Sequence, residues 1–167
     1  MGFSAGGHLA AETGTGFDAG NSGAANAVDR ASSRPDFLIL GYPWLYAMRL
    51  DARGTSEYCS AMRVSDAALC RHFAEAYTPE QHVSAQTPPT FIFHTTTDDA
   101  VPVQCSLSFY TALVHANVPV EMHIFGEGRH GVGFGGDNPH LNQWPMLLEG
   151  WMRSRGLLTP VHESAAQ

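Results

Sequence analysis

Little in this sequence points to a redox scaffold, a metal centre or a polyanion-binding surface. Its three cysteines, Cys59, Cys70 and Cys105, form no CxxC pair and leave at least one thiol over. That excludes a disulfide framework and a zinc ribbon, and leaves a single Cys59–Cys70 bridge open. The histidines show no HExxH or paired-ligand spacing, so no metal and no cofactor is expected. Nine Lys+Arg against sixteen Asp+Glu, a formal net charge of -7, come with no basic cluster. Neither nucleic acid nor an anionic membrane has an electrostatic footprint to bind. No apolar run reaches the roughly eighteen residues that a membrane-spanning helix needs. No basic segment followed by an apolar one opens the chain, so no export signal is read and the compartment stays unknown. What remains is 167 residues with 44% hydrophobic content, enough for one globular core.

The chain is organised around its first residues. Gly2-Phe3-Ser4-Ala5-Gly6 reads as G-x-S-x-G, the sharp strand-to-helix turn that holds a nucleophilic serine above a sheet. Bulkier residues at Gly2 and Gly6 are expected to collide with the turn's backbone and the incoming helix. The helix start would aim the backbone N–H of Ala5 at the oxyanion of a tetrahedral intermediate. A strand should lead into such a turn, yet only Met1 precedes Gly2, and no HGGG-like segment supplies a second oxyanion donor. The N-terminal strands are therefore expected to be missing, and with them any leader.

Residues 5–13 read as the helix behind Ser4, with Gly14 as its stop. Residues 14–34 lack apolar periodicity and read as a surface connection. Residues 37–42 form a continuous apolar run that suits a strand buried on both faces. Trp44, Leu45, Tyr46 and Met48 follow it, where Trp44 and Tyr46 are candidates to line a substrate pocket, though aromatic residues in such places are often core. Ser65 is expected to cap a helix with Leu69, Phe73 and Ala76 on one face. Residues 90–94 read as a second buried strand, running into a polar loop with Asp98 and Asp99. A helix over residues 103–116 places Leu107, Tyr110, Leu113 and Val114 on one face, and residues 120–125 make a third strand. A glycine-rich loop then carries His130. The last helix, capped near Asn142 with Pro145 in its first turn, turns Trp144, Leu147, Leu148 and Trp151 inwards and ends at Gly156. The domain is expected to span residues 1–158, with 159–167 a frayed tail.

Strands alternating with helices predict an α/β fold, a parallel sheet with helices on both faces. Reactive groups collect at the carboxyl ends of such strands, where Ser4, Asp98 and His130 would share one rim. His8, His94, His123 and His140 lack comparable context and read as structural or solvated.

The segments GFSAGGHLA at 2–10, TPPTFIFHTTTDDAVPV at 87–103 and VPVEMHIFGEGRHGVG at 118–133, in the order Ser, Asp, His, carry a resemblance. The chain resembles the C-terminal half of α/β-hydrolase fold esterases, in the acetyl xylan and feruloyl esterase branch related to prolyl oligopeptidases and dienelactone hydrolases. The resemblance implies a partial α/β-hydrolase fold lacking its N-terminal strands, and a catalytic set of Ser4, Asp98 and His130. Its D-x-x-V-P pattern selects Asp98, leaving Asp99 as a loop cap. It implies a serine ester hydrolase acting through an acyl-enzyme on small-molecule or carbohydrate esters, with a prolyl oligopeptidase-like peptidase or an inactive fragment as alternatives. An exposed sheet edge would also favour homo-oligomers.

Overall fold

Short apolar runs set the strands, and their pairing sets the rest. The computed structural model describes residues 1–45, 59–60, 63–76 and 78–158, with backbone alone for 73–75. Strands β1 (Gly2–Phe3), β2 (Leu38–Gly41), β3 (Thr90–Thr95) and β4 (Val120–Phe125) form one parallel sheet in that order among the described residues. Gly2 lies opposite Leu40, Leu38 opposite Thr90 and Thr90 opposite Val120. Parallel neighbours cannot be joined by a tight turn, so helices serve as crossovers. The described residues include helices α1 (Ala5–Thr15), α2 (Ala27–Arg30), α3 (Ala67–Ala76), α4 (Gln104–His115) and α5 (Trp144–Ser154).

Successive strand side chains point to opposite faces, and the core divides accordingly. Leu38, Leu40 and Ile92 pack with Ala11 of α1 and with Cys105, Phe109 and Leu113 of α4 on one face. Ile39, Phe91 and Phe93 pack with Trp144 and Trp151 of α5 on the other. Each fully buried Phe or Leu removes enough apolar area to favour folding by about 1.5–3 kcal/mol. Helices thus cover both faces, as the alternation predicts.

Several local expectations are corrected. Helix α1 runs through Gly14, whose missing side chain lets it lie against Leu38, and ends at Gly16, whose N–H bonds the Glu12 carbonyl at 2.8 Å. The connection over residues 14–34 holds the short α2, capped by the Asn26 side chain. Asp66, rather than Ser65, caps α3 by accepting the N–H groups of Ala68 and Leu69 at 2.8 and 2.9 Å. Leu69 is exposed, and the Phe73 side chain lies outside the described residues. Leu107 and Val114 of α4 are also exposed, while Cys105, Ser106, Phe109 and Leu113 are buried. A polar Ser106 faces inwards because a buried histidine bonds it, which apolar periodicity does not register. Helix α5 starts behind Gln143, one residue from the expected Asn142, and in the turn before it the Asn138 side chain accepts the N–H groups of His140 and Leu141. Cys59 and Cys70 form a disulfide, and Cys105 is buried outside any disulfide. The expected tail at 159–167 lies outside the described residues.

Candidate active site

Ser4 sits between the end of β1 and the start of α1 with φ 53° and ψ −124°, a backbone conformation that non-glycine residues rarely adopt. Its N–H bonds the Gly41 carbonyl at 3.0 Å, and its own carbonyl accepts from Gly7, His8 and Trp44. The surrounding bonds hold the strain in place. A Cβ on Gly2 would overlap the Gly6 carbonyl, so that glycine is required. Gly6 is not crowded, since a Cβ there meets nothing within 4 Å. The second crowded position is Gly7, where a Cβ would lie 2.7 Å from Pro43 Cβ. The helix is thus pressed both onto its own turn at Gly2 and onto Pro43, just beyond β2.

Ser4 Oγ lies 2.7 Å from His130 Nε2, and His130 Nδ1 lies 2.9 and 3.1 Å from the two Asp98 oxygens. An ionised carboxylate only accepts, so Nδ1 carries the proton and Nε2 accepts from the serine hydroxyl. The Asp98 side chain is fully buried, with His130 at 23% exposure. Burial alone would raise the Asp98 pKa, but the N–H groups of Val101 and Ala100 and the His130 ring bond the charged form and hold it below the usual carboxylate range. Ala5 opens α1, so its N–H is among the first-turn donors without an intrahelical acceptor.

Three residues that sequence reasoning did not assign to the site complete it. The Asp99 carboxylate accepts the His130 backbone N–H at 2.9 Å, the kind of amide bonding expected of it, but at the histidine itself. Tyr42, with φ 35°, packs its ring nearly perpendicular to the His130 ring, centroids 5.2 Å apart, and its hydroxyl accepts the Gly133 N–H at 3.3 Å. His94, fully buried in β3, lies with Nε2 2.9 Å from the Val101 carbonyl and 3.4 Å from Asp98 Oδ2. Its Nε2 therefore carries hydrogen and its Nδ1 accepts from the Ser106 hydroxyl at 2.8 Å. Burial lowers the His94 pKa against the opposing pull of the Val101 carbonyl and Asp98, so the ring is neutral. A histidine inside an apolar strand run was the available signal, since a buried ring nitrogen needs a partner.

Thr95 and Thr97 tie the glycine-rich loop to β3 by bonding Gly128 at 2.7 and 2.9 Å. Trp44, a pocket candidate, is half-buried against the α1 face of the core, and its carbonyl faces His8 Nδ1 at 3.1 Å. Tyr46, the other, lies outside the described residues, as does Met48. Among the described residues no group of three or more His, Cys, Asp or Glu side chains could hold a metal ion.

The model of the prolyl oligopeptidase family matches residues 37–144. The chain is 31% identical over 137 residues to an endo-1,4-beta-xylanase B of Butyrivibrio fibrisolvens, covering 82% of this chain and 21% of that one. It is 28% identical over 160 residues to an acetylxylan esterase of Xylanibacter ruminicola, covering 92% and 30%. Among solved structures, an acetyl ester-xyloside bifunctional hydrolase from Caldicellulosiruptor lactoaceticus superposes with a TM-score of 0.79 at 36% identity, over 95% of this chain and 56% of that chain. The chain thus spans less than a third of the curated relatives and about half of the solved one.

Proposed function

Because the chain belongs to the prolyl oligopeptidase family and carries part of an α/β-hydrolase fold, we propose that it is a serine carboxylic ester hydrolase acting on small or sugar-linked acyl esters. The observation that carries this reading is the continuous relay from Ser4 Oγ through His130 to Asp98, at 2.7 and 2.9 Å. His130 Nε2 removes the Ser4 proton as Oγ attacks the ester carbonyl. Asp98 holds the imidazole in the productive tautomer and stabilises its cationic form. The oxyanion faces the Ala5 N–H. Collapse breaks the bond to the alcohol, which leaves with the proton from His130, and Ser4 retains the acyl group. Water, deprotonated by the same imidazole, then releases the acid and restores the serine. The relatives named for acetylxylan and acetyl ester hydrolysis support an acetylated sugar as substrate.

Fluorophosphonate labelling followed by peptide mass spectrometry tests the reading. The expected result is modification at Ser4 that disappears in His130→Ala. A folded chain that takes no label at Ser4 overturns it and favours a fragment without turnover. The family's description favours one second reading, a serine peptidase. Cleavage of prolyl peptide amides in preference to para-nitrophenyl acetate would select it.

A further inference from the structure

The loop that carries His130 also presents an exposed aromatic ring. Phe134 is 72% exposed, and it is the aromatic residue among the exposed large hydrophobic side chains of the described residues. Its ring is nonetheless fixed. It stacks on the Trp144 indole with centroids 5.6 Å apart and planes 9° from parallel, and Trp144 stacks in turn on Phe93 at 4.3 Å and 13°. Trp144 is 2% exposed, and its indole N–H donates to the Gly133 carbonyl at 3.0 Å. The Gly135 N–H bonds the Val132 carbonyl at 2.9 Å, which closes a turn around Phe134. Gly133 and Gly135 have φ +55° and +94°, and a Cβ on Gly135 would press on the Asn142 backbone. One face of the Phe134 ring is therefore backed by a buried indole, and the other is open to solvent.

We propose that this open face is a platform for the sugar ring of an acylated carbohydrate, beside the ester-cleaving residues; the inference rests on the hydrolase reading above. The C–H-bearing face of a pyranose is flat, apolar and weakly electropositive, and it complements the negative face of an aromatic ring. The surroundings favour such a ligand over a protein partner. Phe134 is flanked along the chain by Gly133, Gly135, Gly136 and Asp137, so its own loop adds no further apolar side chain to the patch that a protein interface would use. An acyl chain would call for a concave lining, whereas an open ring suits a flat one. The position also fits. Three residues separate Phe134 from His130, which keeps their Cα atoms within about 14 Å. Tyr42 fixes both ends of that segment, packing against the His130 ring and bonding the Gly133 N–H.

Saturation-transfer NMR with unacetylated xylotetraose tests the platform without requiring turnover. The whole chain is expected to transfer magnetisation to the sugar, Phe134→Trp to retain binding, and Phe134→Ala to weaken it roughly five- to tenfold. Circular dichroism of each variant checks that the fold is kept, which an exposed side chain allows. No transfer to the wild-type chain overturns the proposal, as does equal affinity in Phe134→Ala or binding of ferulate in place of the sugar. Labelling of wild-type Ser4 is read separately. Sugar binding without labelling sinks the hydrolase reading and supports the platform, whereas labelling without sugar binding does the reverse.

Discussion

Two clusters of carboxylates and imidazoles, one at the Ser4 rim and one where α1 meets the turn Pro79–Gln81, differ in what surrounds their oxygens. At the rim, both Asp98 oxygens have donors, from Val101, Ala100 and His130. Where α1 packs on the turn Pro79–Gln81, His8 lies 3.8 Å from Glu12, and one Glu12 oxygen and both Glu80 oxygens are buried without a hydrogen-bond partner. The consequence is opposite in sign. Donors hold Asp98 charged and its pKa low, while burial raises both glutamates against the pull of His82, Glu80 also against its own backbone N–H and further up through its neighbour Glu12. Burial acts on all three carboxyls in the same direction, so the hydrogen-bond donors decide the outcome.

The contrast breaks most sharply at Asp98. Asp98→Asn puts an amide against His130 and removes the preference for the Nδ1–H tautomer. The rate of Ser4 labelling is expected to fall by about 10³–10⁴-fold. Stability should respond too. A carboxyl whose folded pKa is depressed contributes fully above its unfolded pKa of about 3.9 and loses that contribution as pH falls through the folded value. In urea unfolding the variant should therefore be weaker than wild type at pH 7 and converge with it in strong acid. Equal labelling rates would mean that Asp98 only caps its loop.

A smaller effect is expected behind the carboxylate. His94→Phe removes the contact at Asp98 Oδ2 and leaves the buried Ser106 hydroxyl without its acceptor, which costs about 1–3 kcal/mol. If His94 positions Asp98, labelling should slow by roughly tenfold even at temperatures where the variant is fully folded. A loss of stability with an unchanged labelling rate would assign it to the core alone. Asp99→Ala frees only the His130 backbone N–H, at an exposed carboxylate, and a reduction of roughly fivefold is expected in the same assay.

The parts of this arrangement that one strand or one turn determines were legible in the sequence. The apolar runs gave β2 and β3 nearly to the residue, because a parallel sheet covered on both faces demands continuous hydrophobic segments, and β4, with Glu121 and His123 inside it, also fell at the expected residues 120–125. The Gly2-x-Ser4 turn and the order Ser, Asp, His picked out three side chains that lie within hydrogen-bond reach. What escaped notice depends on contacts between distant segments. Gly7 is required by Pro43, 36 positions away in sequence, and Gly6 only looked equivalent. Ser106 is inward because His94 faces it, so the buried side of α4 did not follow apolar spacing. Neither Glu12 nor Glu80 carries a local sign that they meet across α1.

That last pair offers the finest test, because its expected effect is a gain. A carboxyl with a raised folded pKa favours the native state at low pH, and the advantage drains away as pH rises through that pKa. Glu80→Gln mimics the neutral form at every pH. At pH 8 it should relieve a buried, unsatisfied charge and stabilise the chain by about 1 kcal/mol, or about 3 °C in Tm. Below the carboxylate range the difference should vanish, since wild-type Glu80 is then neutral as well. A variant less stable than wild type at pH 8 would show that the glutamate oxygens have donors in solution, and the two clusters would then differ in depth alone.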